Sequence, residues 1–67
     1  MWKVIVIFCF FNYDCIILEE KPMNYYVSKA ECMNIANAKH TQLSVAYTRY
    51  SYVIKDSKAY CEKVPVV

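Results

Sequence analysis

The chain has 67 residues, 58% of them apolar, a formal net charge of +2 and no glycine. That length gives one domain and no second, and the apolar fraction excludes intrinsic disorder. So small a charge is no nucleic-acid footprint, and without glycine the phosphate-cradling loops of nucleotide cofactor sites, which need φ > 0, are excluded.

A body of this size buries only about 60% of its unfolded surface. The surplus apolar surface therefore points to dimerisation, a partner protein or disulfides as a supplement. The first 27 residues carry two positive and three negative charges and the remainder six and three, a mild basic tilt typical of a solvated face.

Residues 2–11, WKVIVIFCFF, are β-branched and aromatic and read as a first strand. Both alternating sets are apolar, as in a central strand covered on both sides. Met1-Trp2-Lys3 followed by VIVIFCFF also resembles a short signal-peptide core, but Asn12-Tyr13-Asp14 ends the run and no small-residue cleavage site follows. The run is too short for a bilayer, which needs roughly 20 residues, so no membrane span is expected. Asn12-Tyr13-Asp14 supplies a turn, and Cys15–Glu20 reads as a second strand closing a hairpin. Lys21-Pro22 ends the ladder, because proline has no amide to donate, and Met23–Val27 is a connection or a short extended edge.

Ser28-Lys29-Ala30-Glu31 is a capping box that starts a helix running to about Arg49, with Val27 and Cys32 at the staple positions. At 100° per residue, Cys32, Ile35, Ala36, Leu43, Ala46, Tyr47 and Tyr50 fall on one face, and Lys39 must snorkel out of it. Opposite lie Asn34, Asn37, Thr41, Ser44 and Thr48, polar but uncharged. They form either an ordinary solvent face or a docking surface that loses little on desolvation. Beyond Arg49, Tyr50–Ile54 is β-rich, Lys55–Lys58 reads as a turn and Ala59–Val64 is again strand-like, so the segment is one hairpin or one strand with a frayed partner. Pro65 closes it, and Val66-Val67 pack or fray. The expected fold class is α+β: a ββαβ(β) two-layer miniature domain with an antiparallel sheet on one helix of about residues 28–49. One helix covers one sheet face, so the second face needs a dimer mate, a partner, or cover from Met23–Val27 and the termini.

No enzyme is legible. His40 has no nucleophile at a motif spacing and reads as a surface histidine. Glu19 and Glu20 are adjacent, point to opposite faces of a strand and make a poor carboxylate dyad. Cys9, Cys15, Cys32 and Cys61 contain no C-x-x-C and have only one histidine to join, so no metal site and no cofactor is expected. The favoured reading of the cysteines is free thiols acting as small buried hydrophobes in a reducing cytoplasm. The alternative is one or two disulfides in an exported protein, with three possible pairings. Seven tyrosines supply large contact area with a polar tip, a hot-spot composition, although several also suit a wet core edge. Stacking of single-stranded bases would need a basic groove beside them, so nucleic acid is not an expected partner.

The M-W start running into an apolar strand, Glu20-Lys21-Pro22, Ser28-Lys29-Ala30-Glu31-Cys32 and Ala59-Tyr60-Cys61-Glu62-Lys63 together resemble short accessory proteins encoded by bacteriophages. The resemblance implies an α+β miniature domain that binds a host protein, often to inhibit it, anti-CRISPR proteins being among the class; no functional residue transfers. The expected function is thus a non-enzymatic protein-binding module in the host cytoplasm, a phage inhibitor of a host enzyme or defence system that blocks sterically. A homodimer is a further possibility, and an exported disulfide-stapled miniprotein or a weak nucleic-acid binder are the alternatives. The candidate contact residues are Trp2, Tyr25, Tyr26, Tyr50, Tyr52, Tyr60, Asn34, Asn37 and Thr41.

Overall fold

The computed structural model describes residues 1–65; the expectation for Val66-Val67 lies outside them. Strands β1 (Trp2–Phe10), β2 (Ile16–Glu19) and β3 (Ile54–Lys63) and the helix α1 (Lys29–Arg49) follow one another as ββαβ. The sheet is antiparallel with order β2-β1-β3, so the most apolar strand is central. Its even-numbered side chains Val4, Val6, Phe8 and Phe10 are buried against Cys32 and Ala36 of α1, with Ile35, Leu43 and Tyr47 packed around them. This is the two-layer α+β arrangement expected from the hydrophobic pattern.

The Asn12 turn is made without glycine, at a φ of 70°, which asparagine tolerates better than other side chains. The ladder between β1 and β2 stops at Glu19 and a cis Lys21–Pro22 peptide follows. It then resumes for one residue: Trp2 and Tyr26 exchange backbone hydrogen bonds of 2.7 and 2.8 Å. Met23–Val27 therefore extends the sheet edge and does not roof the second face.

Ser28 caps α1 by accepting from the Glu31 amide at 3.4 Å. Among the described residues the Ser28 amide does not donate to the Glu31 carboxylate, and Val27 is 80% exposed, so neither the full capping box nor the staple forms. The other end is the tighter one. The Ser51 amide donates to the Thr48 carbonyl and the Tyr52 amide to the Tyr47 carbonyl, each at 3.1 Å, with Ser51 at a φ of 67°. This is a Schellman stop, and the accompanying apolar contact is Tyr47 against Tyr52, ring centroids 5.8 Å apart.

Three further expectations are corrected. Lys55–Lys58 is not a turn: β3 runs straight through it with one irregularity, because Cys9 opposes Asp56 while Phe10 opposes Ile54, leaving Lys55 as an extra residue. Charged residues suit this stretch because β3 is an edge strand. Tyr50 is not on the core face; as the helix cap it has left the helical path and is 78% exposed. The cysteines are not free thiols. Cys9 pairs with Cys15 across the first hairpin, and Cys32 pairs with Cys61, fastening α1 to β3.

Candidate interaction surface

The molecule is elongated, 40 × 19 × 19 Å, and its long axis separates the candidate residues. Nine residues of strand hold Trp2 and Phe10 about 26 Å apart at ~3.3 Å per residue, so groups at opposite ends cannot share one compact patch.

At the first end are Trp2, Tyr25 and Tyr26. Tyr26 is half-buried and donates its hydroxyl to both oxygens of the Glu20 carboxylate at 3.1 Å. Asn24 Nδ2 donates to the same carboxylate at 3.3 Å, and Lys39 Nζ lies 3.5 Å from it, which is how Lys39 leaves the apolar face. Burial first, then the bond to Glu20, pushes the Tyr26 hydroxyl pKa up. Trp2 is half-buried with Lys29 Nζ 5.4 Å from its ring centre. These residues are committed to internal contacts. Tyr25 remains exposed.

Between this cluster and the helix lies a cleft of about 250 Å³ with Val4, Val6, Leu18 and Leu43 on its floor and Glu20 and Lys39 at its rim. That is smaller than the ~300–1,000 Å³ usual for small-molecule sites.

The outer face of α1 carries Asn34, Asn37 and Thr41, all exposed. Its hydroxyls are already used: Thr41, Ser44 and Thr48 donate to the carbonyls of Asn37, His40 and Ser44 at 3.1, 2.8 and 2.8 Å. The face therefore offers a partner fewer free donors than its composition promises.

On the sheet face away from the helix, the register aligns Lys3, Ile5, Ile7 and Cys9 of β1 with Glu62, Tyr60, Lys58 and Asp56 of β3. Ile5 is buried, Ile17 of β2 is exposed, and Lys3 Nζ pairs with Glu19 Oε1 at 3.2 Å. The hydrogen bond that Lys3 donates to Glu19, reinforced by that carboxylate's charge, raises the Lys3 pKa.

The second end is different. There Tyr50 and Tyr52 meet Phe11, Tyr13 and Val53, all exposed, around a shallow groove of about 600 Å³ that Asn12 and Ser51 complete. The Phe11 amide donates to the Val53 carbonyl at 3.1 Å, tying the two loops together, and the Cys9–Cys15 bond closes the base of the first. The patch is rooted in the core through rings: Phe8 to Tyr47 at 5.2 Å, Tyr47 to Phe10 at 5.0 Å, Phe10 to Tyr52 at 5.2 Å and Tyr52 to Tyr13 at 5.9 Å. Phe11, Tyr13 and Val53 were not among the residues singled out from the sequence. The signal for two of them was there, since Phe11 and Tyr13 flank the turn residue Asn12.

His40 is not a surface group. Its ring stacks on Phe8 at 5.4 Å and its Nε2 lies 2.8 Å from Ser57 Oγ, joining α1 to β3. No carboxylate orients its other nitrogen among the described residues, so the pair lacks the third member of a hydrolytic triad. No helix among the described residues is long and apolar enough to cross a membrane. No protein-family model, curated protein or solved structure matches the chain.

Proposed function

We propose that the chain is a non-enzymatic protein-binding module that engages its partner through the aromatic end formed by Phe11, Tyr13, Tyr50, Tyr52 and Val53. The observation that carries this reading is exposed aromatic surface continuous with the core and held by a hydrogen bond and a disulfide. Rigid aromatic groups lose little conformational freedom on binding, the property that makes hot-spot anchors. The finer reading, a phage inhibitor that sterically blocks a host enzyme or defence complex, rests on the motif resemblance alone. Capture from a host extract tests both levels when two variants are compared. Tyr50→Ser with Val53→Ser should lose the captured protein, while Asn34→Ser with Asn37→Ser should keep it. Equal recovery by both would remove the aromatic end from consideration.

A second reading, an exported disulfide-stapled miniprotein, is favoured by the two cysteine pairs. A cytoplasmic location depends on free thiols and loses that support. Intact mass from the native source separates the two readings: a gain of four hydrogens on reduction supports export, and no gain supports the cytoplasm.

A further inference from the structure

The outer edge of β3 is ten residues long and, among the described residues, pairs with nothing. We propose that it is the dimerisation edge of this chain, pairing antiparallel with β3 of a second copy in a register centred on Tyr60. The backbone shows which groups are free. Trp2 spends its amide and carbonyl on Tyr26, away from β3, so its β3 counterpart Lys63 directs its own groups outward. The Val64 amide donates inward to the Met1 carbonyl at 2.8 Å, as alternation requires. Ala59 and Cys61 thus also face outward. Ser57 belongs to the same set, but its amide is already held by the Asp56 carboxylate at 2.9 Å.

Charge then selects the register. A two-fold axis perpendicular to the sheet pairs residues of like parity, so each permitted register centres on one residue. Centring on Lys58 sets that ammonium against its own copy. Centring on Ala59 opposes Asp56 to Glu62 and Lys55 to Lys63. Centring on Ser57 also sets Asp56 opposite Lys58 twice, but its axis falls on the amide that Asp56 holds and its ladder runs into the irregular residue Lys55; centring on Cys61 gains no ion pair. Centring on Tyr60 places Lys58 opposite Glu62 twice, sets Tyr60 beside Tyr60 of the copy, and lets Ala59 and Cys61 exchange backbone hydrogen bonds on both sides of the axis, with the held Ser57 amide, opposite Lys63, reached only at the two ends of the ladder. Lys58 and Glu62 are both exposed and lie with Tyr60 on the helix-free face. Cross-strand pairs of opposite charge stabilise a sheet and like charges directly opposite destabilise it. The same lysines that shield an edge from arbitrary strands leave it open to this one partner.

Sedimentation equilibrium of the oxidised chain tests this, with the mass expected to rise from 7.9 kDa toward twice that value as concentration increases. Lys58→Glu alone and Glu62→Lys alone each set like charges opposite one another and should weaken association on the order of tenfold. An equimolar mixture of the two variants restores both ion pairs and should form the heterodimer. On the unsubstituted chain, the Ala59 and Cys61 amides should gain exchange protection with concentration. A chain that stays monomeric up to ~1 mM, a Kd range weaker than ordinary specific association, would overturn the proposal. So would variants that associate as well as the parent, or a mixture that does not associate.

Discussion

Ser51 is a serine where helices most often place glycine, in the left-handed position that closes a Schellman stop. An L-residue there costs about 1–2 kcal/mol, partly offset by the lower unfolded-chain entropy of a non-glycine residue. Ser51→Gly should therefore raise stability by roughly 0.5–1 kcal/mol, and Tm by several degrees at about 4–8 °C per kcal/mol. A thermal melt followed by circular dichroism reads it, and an unchanged or lower Tm would reject the cap. Tyr26 makes a second residue-scale prediction. Its pKa is raised above the ordinary 10.0, so the folded state retains a proton that the unfolded chain has lost. The associated stability is fully present below pH 10 and is lost as pH rises through the folded value. Lys3, raised above 10.5, acts in the same direction, although its exposure leaves it a small part. Urea midpoints should thus fall above about pH 10. The fall should be shallower in Tyr26→Phe, which also leaves Glu20 with one fewer donor; identical pH profiles would show that the hydroxyl does not carry the effect.

At the scale of elements, the strands and helix were legible where one physical signal dominated, and less so where tertiary context chose between readings. The β-branched run at 2–11 and the Ser28 cap placed β1 and α1 to within a residue. Lys55–Lys58 failed because its charges mark a turn and an edge strand equally well. Only pairing with Cys9, Phe8 and Ile7 distinguishes them. The aromatic end was half legible: Tyr50 and Tyr52 were in view, but their meeting with Phe11 and Tyr13 depends on two loops far apart in sequence. The cysteine pairing was not legible, since spacings of 6 and 29 residues fit free thiols as readily as bridges until the helix is laid on β3. Once paired, those spacings order the bridges energetically. On the loop-closure estimate Cys32–Cys61 contributes roughly 3–4 kcal/mol and Cys9–Cys15 about 2 kcal/mol. A stability near 5 kcal/mol is ordinary for so small a domain. Cys32→Ala with Cys61→Ala should therefore remove most of it, lowering the urea midpoint far more than Cys9→Ala with Cys15→Ala. Equal losses from the two pairs would place the stabilisation in side-chain packing and not in chain closure.

At the scale of the whole molecule, the helix seals one face of the sheet, and the two surfaces proposed for partners are the aromatic end and the β3 edge. Within that end, two tyrosines separate folding from binding. Tyr52 is 42% exposed, and its ring contacts Phe10, Tyr13 and Tyr47. Truncating it breaks ring contacts that reach the core, so Tyr52→Ala should cost about 1–3 kcal/mol. Tyr50 is 78% exposed and carries no ring contact among the described residues, so Tyr50→Ala should change stability by less than ~0.5 kcal/mol. If the aromatic end binds a protein, both variants lose the partner, but only the Tyr52 variant also melts early. Isothermal titration alongside thermal melts would read the two effects separately. A Tyr50 variant that melts as the parent does and still binds with parental affinity would leave this aromatic surface with no part in recognition. Tyr50 is the most exposed of these aromatic side chains, so it is the position at which a loss of binding is least confounded by a loss of folding.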